Sequence, residues 1–157
     1  YCNILTFKNY YKDKWFPYTM PISDIIGLNK AISNVLHDKT ILKRHHIIGQ
    51  AVRKAVTAAG LTLYAKGGYS DTVSVINVPE GLTQILDTMR DDYNILIAGC
   101  FDILAGKVFR IGHMGENANI RDVAETLSAL DKTFKKLNYH LNCSRADVFI
   151  DEINKFE

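Results

Sequence analysis

Three cysteines, three prolines and a single tryptophan are all that this 157-residue chain has of the residues that staple or punctuate a fold. The cysteines, Cys2, Cys100 and Cys143, are odd in number and scattered. They make no disulfide framework and no paired metal-ligand spacing, so a reducing compartment, the cytoplasm by default, is the expectation. No apolar run approaches the length of a membrane span, and the first residues carry no signal-peptide pattern. The net charge is only +2 and no basic run is long, which removes nucleic acid and anionic membrane as expected partners. Internal repeats and low-complexity segments are absent too.

What is present suits one globular body. Hydrophobic residues make up 47% and charged residues 23%, in a chain long enough for one good core and hardly two. Residues 1–21 read as irregular and aromatic-rich, with Pro17 and Pro21 keeping Tyr18-Thr19-Met20 extended. A helix is expected to start near Ser23 or Asp24, with Ile22, Ile25, Ile26, Ile32, Val35 and Leu36 as its apolar stripe. Asp38-Lys39 breaks it. Thr40 then caps a second helix, on which Ile41, Ile48, Val52, Ala55 and Ala59 share a face before Gly60 ends it.

Residues 61–65 read as a strand, Gly67-Gly68 as a turn, and the β-branched run 72–78 as another strand. Pro79 is expected to open a third helix through Leu82, Ile85, Leu86 and Met89. Two strands, 94–98 and 107–111, follow. The clearest helix starts at Asn119, with Asp122 three residues on, and carries Ile120, Val123, Leu127, Leu130, Phe134 and Leu137. Residues 144–153 suit one more short helix, with Phe149 and Ile153 on its buried side. The pattern predicts an α+β sandwich, with helices on one face of a small sheet.

The stretch that carries chemistry is Lys107-Val108-Phe109-Arg110-Ile111-Gly112-His113-Met114-Gly115. An arginine inside an apolar strand is expensive to desolvate unless something anionic pairs with it. Guanidinium is also the group best shaped to grip a carboxylate with two parallel hydrogen bonds. The alternative is a surface strand whose Arg110 pairs with a neighbouring Asp or Glu.

The segment resembles the R-I-G-x-x-G signature near the C-terminus of class V (fold-type I) pyridoxal-phosphate aminotransferases, the serine–pyruvate and alanine–glyoxylate type. Other stretches resemble the same family in the same order. Phe16-Pro17-Tyr18-Thr19-Met20-Pro21 is similar to its T-P-x-T-x-P connection, and residues 28–36 to the long helix after it. Arg44-His45 is similar to an R-H pair early in the next helix. Thr72-Val73-Ser74-Val75-Ile76-Asn77-Val78-Pro79-Glu80-Gly81 resembles a strand and turn of the family, and Tyr93-Asn94-Ile95-Leu96-Ile97-Ala98-Gly99 resembles another strand. The likeness runs from about residue 10 to residue 138.

The resemblance implies an amino-group transfer between an amino acid and a 2-keto acid such as pyruvate or glyoxylate, with pyridoxal 5′-phosphate as cofactor and a homodimer as the working state. It implies that Arg110 binds the substrate carboxylate and that Thr19 binds the cofactor phosphate. Phe16 departs from members whose tyrosine or threonine there also reaches the phosphate, and Tyr18 could complete that grip. The family's cofactor-binding lysine has no counterpart, because Lys8, Lys12 and Lys14 lack its sequence context.

The resemblance therefore implies the C-terminal part of such an enzyme, inactive alone and contributing no catalytic residue. Residues 1–36 would be the tail of the large domain and a connecting helix. Residues 37–138 would be the small domain, with a mostly antiparallel sheet, and residues 139–157 a C-terminal extension. On the residues alone another class stays open: a free-standing, non-catalytic α+β module that binds a carboxylate ligand or a protein partner.

Other reactive side chains have plainer readings. Cys100, where relatives carry a second glycine, reads as a buried or half-buried inert thiol. His45 and His46 diverge by about 100° around a helix and do not converge on one metal ion. His113, close to Arg110, is a candidate for lining the same cleft.

Overall fold

Apolar residues at helical and strand spacing decide where this chain folds back on itself. The computed structural model describes residues 3–156, and they divide between Lys39 and Thr40 into two compact units. Tyr1 and Cys2, counted above in the aromatic-rich start and among the cysteines, lie outside the described residues.

The first unit opens with a 3₁₀ turn, Ile4–Phe7, capped by the Asn3 side chain, which accepts from the Leu5 N–H. A single helical turn, α1 (Tyr10–Asp13), ends at left-handed Lys14. The aromatic side chains pack against each other at a tilt, Tyr10 on Phe16 at 5.2 Å and Phe7 on Tyr18 at 6.2 Å between ring centroids. Helix α2 (Ile22–His37) begins directly after Pro21, ahead of the Ser23 or Asp24 cap expected from sequence. Pro21 is the N-cap, where its missing N–H forfeits no helical hydrogen bond, and its carbonyl receives the Ile25 N–H. The apolar stripe of α2 is exposed along its length, Ile26 and Leu36 both at 65%.

The second unit holds the core. Helix α3 (Ile41–Ala58) buries Ile48, Val52, Ala55 and Val56. Strand β1 (Val73–Asn77) is followed by α4 (Ile85–Tyr93), β2 (Ala98–Gly99) and β3 (Val108–Gly112). Helix α5 (Ile120–Lys136) buries Val123, Leu127, Leu130 and Phe134, and α6 (Arg145–Asn154) buries Phe149 and Ile153 against α3 and α5. Asn119 caps α5 by accepting from the Asp122 N–H at 2.8 Å.

The sheet is antiparallel throughout, ordered β1-β3-β2. The register sets Ile76 opposite Phe109, Ser74 opposite Ile111 and Gly99 opposite Phe109. Ile76, Phe109 and Ile111 therefore share the face that packs into the helical core. Six α-helices and a small antiparallel sheet among the described residues make this the α+β fold that the sequence predicts.

In the first unit the stretch expected to be irregular holds the 3₁₀ turn and α1, and in the second unit three elements differ from the sequence expectation. Residues 61–65 form one antiparallel bridge, Leu63 to Ile76, flanked by the Tyr64 N–H to the Val75 carbonyl and the Asn77 N–H to the Thr62 carbonyl. The helix expected at Pro79 begins only at Ile85, since Gly81 adopts a left-handed φ of +81° and breaks the helical path. The strand expected at 94–98 shrinks to Ala98–Gly99. Asn94 instead closes α4 with a left-handed φ of 54°, its N–H returning to the Arg90 carbonyl.

Two buried polar contacts tie the core together. Arg145, fully buried, donates from Nε to Asp131 Oδ1 at 2.7 Å and lies 4.3 Å over the Phe134 ring. Asp131 Oδ2 also accepts from the backbone N–H of Arg145 and from the Ser144 hydroxyl, so one carboxylate from α5 secures the start of α6. Burial pushes the Arg145 guanidinium down from its ordinary value, and Asp131 opposes that shift.

The second contact joins two strands. His113 Nδ1 lies 3.1 Å from the Asp71 carbonyl, which only accepts, so Nδ1 carries the proton. In the neutral imidazole Nε2 then accepts from the Ser74 hydroxyl, 3.0 Å away.

Both contacts predict measurable instability. Asp131→Ala leaves a buried guanidinium without its counter-charge and should cost roughly 3–5 kcal/mol in urea unfolding. Replacing both partners with apolar residues, Asp131→Leu with Arg145→Met, should cost less than the single change. A single-mutant loss below that of the double would refute a stabilising role for the pair.

His113 carries a pH signature. Burial first of all pushes its imidazole below the ordinary 6.5, while its backbone hydrogen bonds oppose the shift. With a folded-state pKa below the unfolded value, the unfolded chain binds more protons as pH falls. Stability should hold above about pH 6.5 and decline below it. His113→Gln should flatten that decline between roughly pH 6.5 and 5 in thermal unfolding, and an unchanged slope would show that other groups carry it.

Candidate functional site

Alternation along β3 builds the site. Phe109 and Ile111 turn into the core, so Val108, Arg110 and Gly112 fall on the opposite face of the sheet. Arg110 pairs with Val75 of β1 on one side and Ala98 of β2 on the other. The side chain is half-buried, and its Nε donates to the Gly99 carbonyl at 2.9 Å. Among the described residues neither Nη1 nor Nη2 has a hydrogen-bond partner, and no carboxylate lies within ion-pairing distance of Arg110. The neighbouring Asp or Glu of the alternative reading is not there. Arg110 is oriented by a neutral acceptor and keeps its charge uncompensated.

Thr19 belongs to the first unit, in the extended stretch 19–21 just before α2, and is exposed. Tyr18 beside it packs at a tilt against Phe7, and Phe16 against Tyr10.

The sequence places His113 as a possible neighbour of Arg110 in one cleft, but the structure buries it completely. It serves Ser74 and the Asp71 carbonyl. His45 and His46 go separate ways. His45 Nδ1 donates to the Ile41 carbonyl at 2.6 Å, and its Nε2 accepts from the Gly115 N–H at 3.0 Å. His46 Nδ1 meets Asp71 Oδ2 at 2.8 Å, while Arg53 Nη2 meets Asp71 Oδ1 at 3.0 Å. Burial alone would raise the Asp71 carboxyl, but the hydrogen bonds from His46 and Arg53 outweigh it and hold the group below its ordinary value. Cys100 and Cys143 are both half-buried free thiols.

Among the described residues no group of three His, Cys, Asp or Glu could hold a metal ion, and no helix is long and apolar enough to cross a membrane. Sequence reasoning missed the Gly99 carbonyl as the partner of Arg110, and missed the joining of Asp71 to α3. A backbone oxygen has no side-chain signature, and the Asp71 contacts span 18 and 25 residues.

No protein-family profile matches the chain. Individual relatives do. An uncharacterized aminotransferase of Methanocaldococcus jannaschii is 34% identical over 154 residues, which is 94% of this chain and 40% of that protein. The L-aspartate–glyoxylate aminotransferase of Paracoccus denitrificans is 40% identical over 67% of this chain and 28% of its own length. The serine–glyoxylate aminotransferase of Methylorubrum extorquens is 38% identical over 65% of this chain and 27% of its own.

Among solved structures, pyridoxamine–pyruvate aminotransferase from Mesorhizobium loti superposes with a TM-score of 0.88 at 26% identity, covering 99% of this chain and 42% of the enzyme. The chain thus spans about two-fifths of the length of the first relatives it matches, or less. Sequence and fold agree over nearly all of its residues, and the chain's homologues are aminotransferases and its structural neighbours class V aminotransferases.

Proposed function

We propose that this chain is the C-terminal part of a pyridoxal 5′-phosphate-dependent aminotransferase. Its substrates would be an amino acid and a 2-keto acid of the pyruvate or glyoxylate class, and its working state a homodimer. Residues 1–36 would belong to the large domain and its connecting helix, residues 37–138 to the small domain, and residues 139–157 to a C-terminal extension. The observation that carries the reading is Arg110, a strand guanidinium with Nε held by a carbonyl and its two terminal nitrogens unpartnered.

An uncompensated guanidinium on a paired strand is a preformed carboxylate receptor. Its terminal nitrogens offer parallel N–H groups at the spacing of two carboxylate oxygens. Held there, the substrate is oriented about its α-carbon, and binding energy is converted into correct placement of the reacting bonds. The Thr19 hydroxyl is exposed and is a suitable donor to a phosphate oxygen, so the residue fits the cofactor. When bound, pyridoxal phosphate supplies the electron sink for the transfer. This chain supplies recognition and charge.

Two outcomes follow. The chain alone should show no transaminase turnover and no stoichiometric, borohydride-reducible cofactor adduct at any lysine. A single such adduct with turnover would overturn the assignment of the covalent lysine to residues outside this chain.

In an active enzyme carrying this sequence, Arg110→Lys replaces a flat fork by a point charge. Hydrogen bonds to charged groups contribute roughly 1.5–3 kcal/mol, so kcat/KM for amino and keto acids should fall about ten- to a hundredfold. Arg110→Ala should lose more, and half-reaction rates with amines lacking a carboxylate should barely change. Equal losses on both substrate classes would make Arg110 structural.

A further inference from the structure

We propose that Gly99 is a positioning residue for the Arg110 guanidinium. Its carbonyl fixes Nε, and its lack of a side chain lets β2 lie close enough to α4 for that carbonyl to be in reach. The inference rests on the reading of Arg110 as a carboxylate anchor and specifies how the anchor is presented.

The chemistry begins with the number of donors. Arginine has five N–H groups, one on Nε and four on the terminal nitrogens, and a carboxylate docks either side-on, to Nε and one Nη, or end-on, to both Nη atoms. The Gly99 carbonyl occupies Nε at 2.9 Å, which leaves the end-on fork. A backbone carbonyl is well suited to the task. It is neutral, so it orients the guanidinium without cancelling the charge that an incoming carboxylate meets. It is also fixed in the sheet, where Gly99 pairs with Phe109 and Ala98 pairs with Arg110 itself.

At Gly99 the constraint is one of space, since its φ lies outside the left-handed region. Phe109 faces the core, so its antiparallel partner Gly99 presents the same face to α4. A Cβ at Gly99 would stand 3.2 Å from Leu86 Cδ1 on the first turn of α4, tighter than ordinary van der Waals contact. A larger side chain must lift β2 away from α4 or displace Leu86. Lifting β2 carries the carbonyl away from Arg110 Nε and releases the guanidinium to other orientations. The spatial constraint and the hydrogen bond are therefore two faces of one residue.

The test uses the ¹⁵N-labelled chain and two NMR readouts. One is solvent exchange of the Arg110 Nε–H, which reports the Gly99 contact directly. The other is titration with pyruvate, followed at the Arg110 side-chain resonances, with Arg110→Lys as the control that should abolish the response. In wild type the Nε–H should be protected. In Gly99→Val it should exchange about tenfold faster, with pyruvate bound about tenfold more weakly.

Gly99→Ala is the milder variant and should move both readouts in the same direction. Adding Leu86→Ala to Gly99→Val should restore both toward wild type, a rescue that general destabilisation of the sheet would not give. Unchanged Nε–H exchange in Gly99→Val, or no recovery in the double variant, would overturn the proposal. Protection lost and rescued as stated, with no pyruvate response in wild type, would leave the positioning intact and sink the carboxylate reading instead.

Discussion

Strand β3 is paired on both sides, and the alternation of its side chains is the constraint on which the site depends. Phe109 and Ile111 are held in the core by burial, each contributing roughly 1.5–3 kcal/mol. Sliding β3 by one residue would turn both outward and drive Arg110 into the helical layer. That slip loses the aromatic and aliphatic burial and adds the desolvation of an unpaired guanidinium. The packing of the core therefore holds Arg110 on the far face. Stability and the candidate site are set by odd and even positions of one five-residue segment.

Two of the arginines of the second unit, Arg145 and Arg110, show how context decides the use of one side chain. Arg145 is fully buried, paired through Nε with Asp131 and laid over Phe134, while its Nη1 and Nη2 are buried without hydrogen-bond partners. Arg110 is half-buried and held through Nε by a carbonyl, with no acidic partner among the described residues. The first arrangement secures α6 to α5. The second leaves the two terminal nitrogens without a hydrogen-bond partner among the described residues, the arrangement that the proposed carboxylate site calls for.

Much of the fold was legible because it follows from periodicity. The stripe Val123, Leu127, Leu130 and Phe134 predicts the buried face of α5, and the β-branched run around Val73 predicts β1. Asn119 with Asp122 identifies the start of α5. Periodicity failed where one residue's backbone conformation overrode the pattern. Left-handed Gly81 delays α4, and left-handed Asn94 takes residues out of a strand whose apolar composition favours one.

At the site, Arg110 stands out in sequence because an arginine is costly in an apolar strand. The Gly99 contact does not, because it is made by a main-chain oxygen eleven residues away. Ser74 and His113, 39 residues apart, are likewise joined only by strand register.

Placing the guanidinium on the central strand has a mechanical consequence. Displacing β3 sideways must break hydrogen bonds to both β1 and β2, so a side chain on it is located more exactly than one on a loop. The β1 side is the stronger, with five register pairs and the buried Ser74–His113 contact just beyond the strand end. Asp71, at the entry to β1, is fastened to α3 through His46 and Arg53. The β2 side has two pairs only. The guanidinium is thus anchored at its Cα by the rigid half of the sheet and aimed at its Nε by the short half. Position is shared with the core, while orientation depends on two residues at an edge.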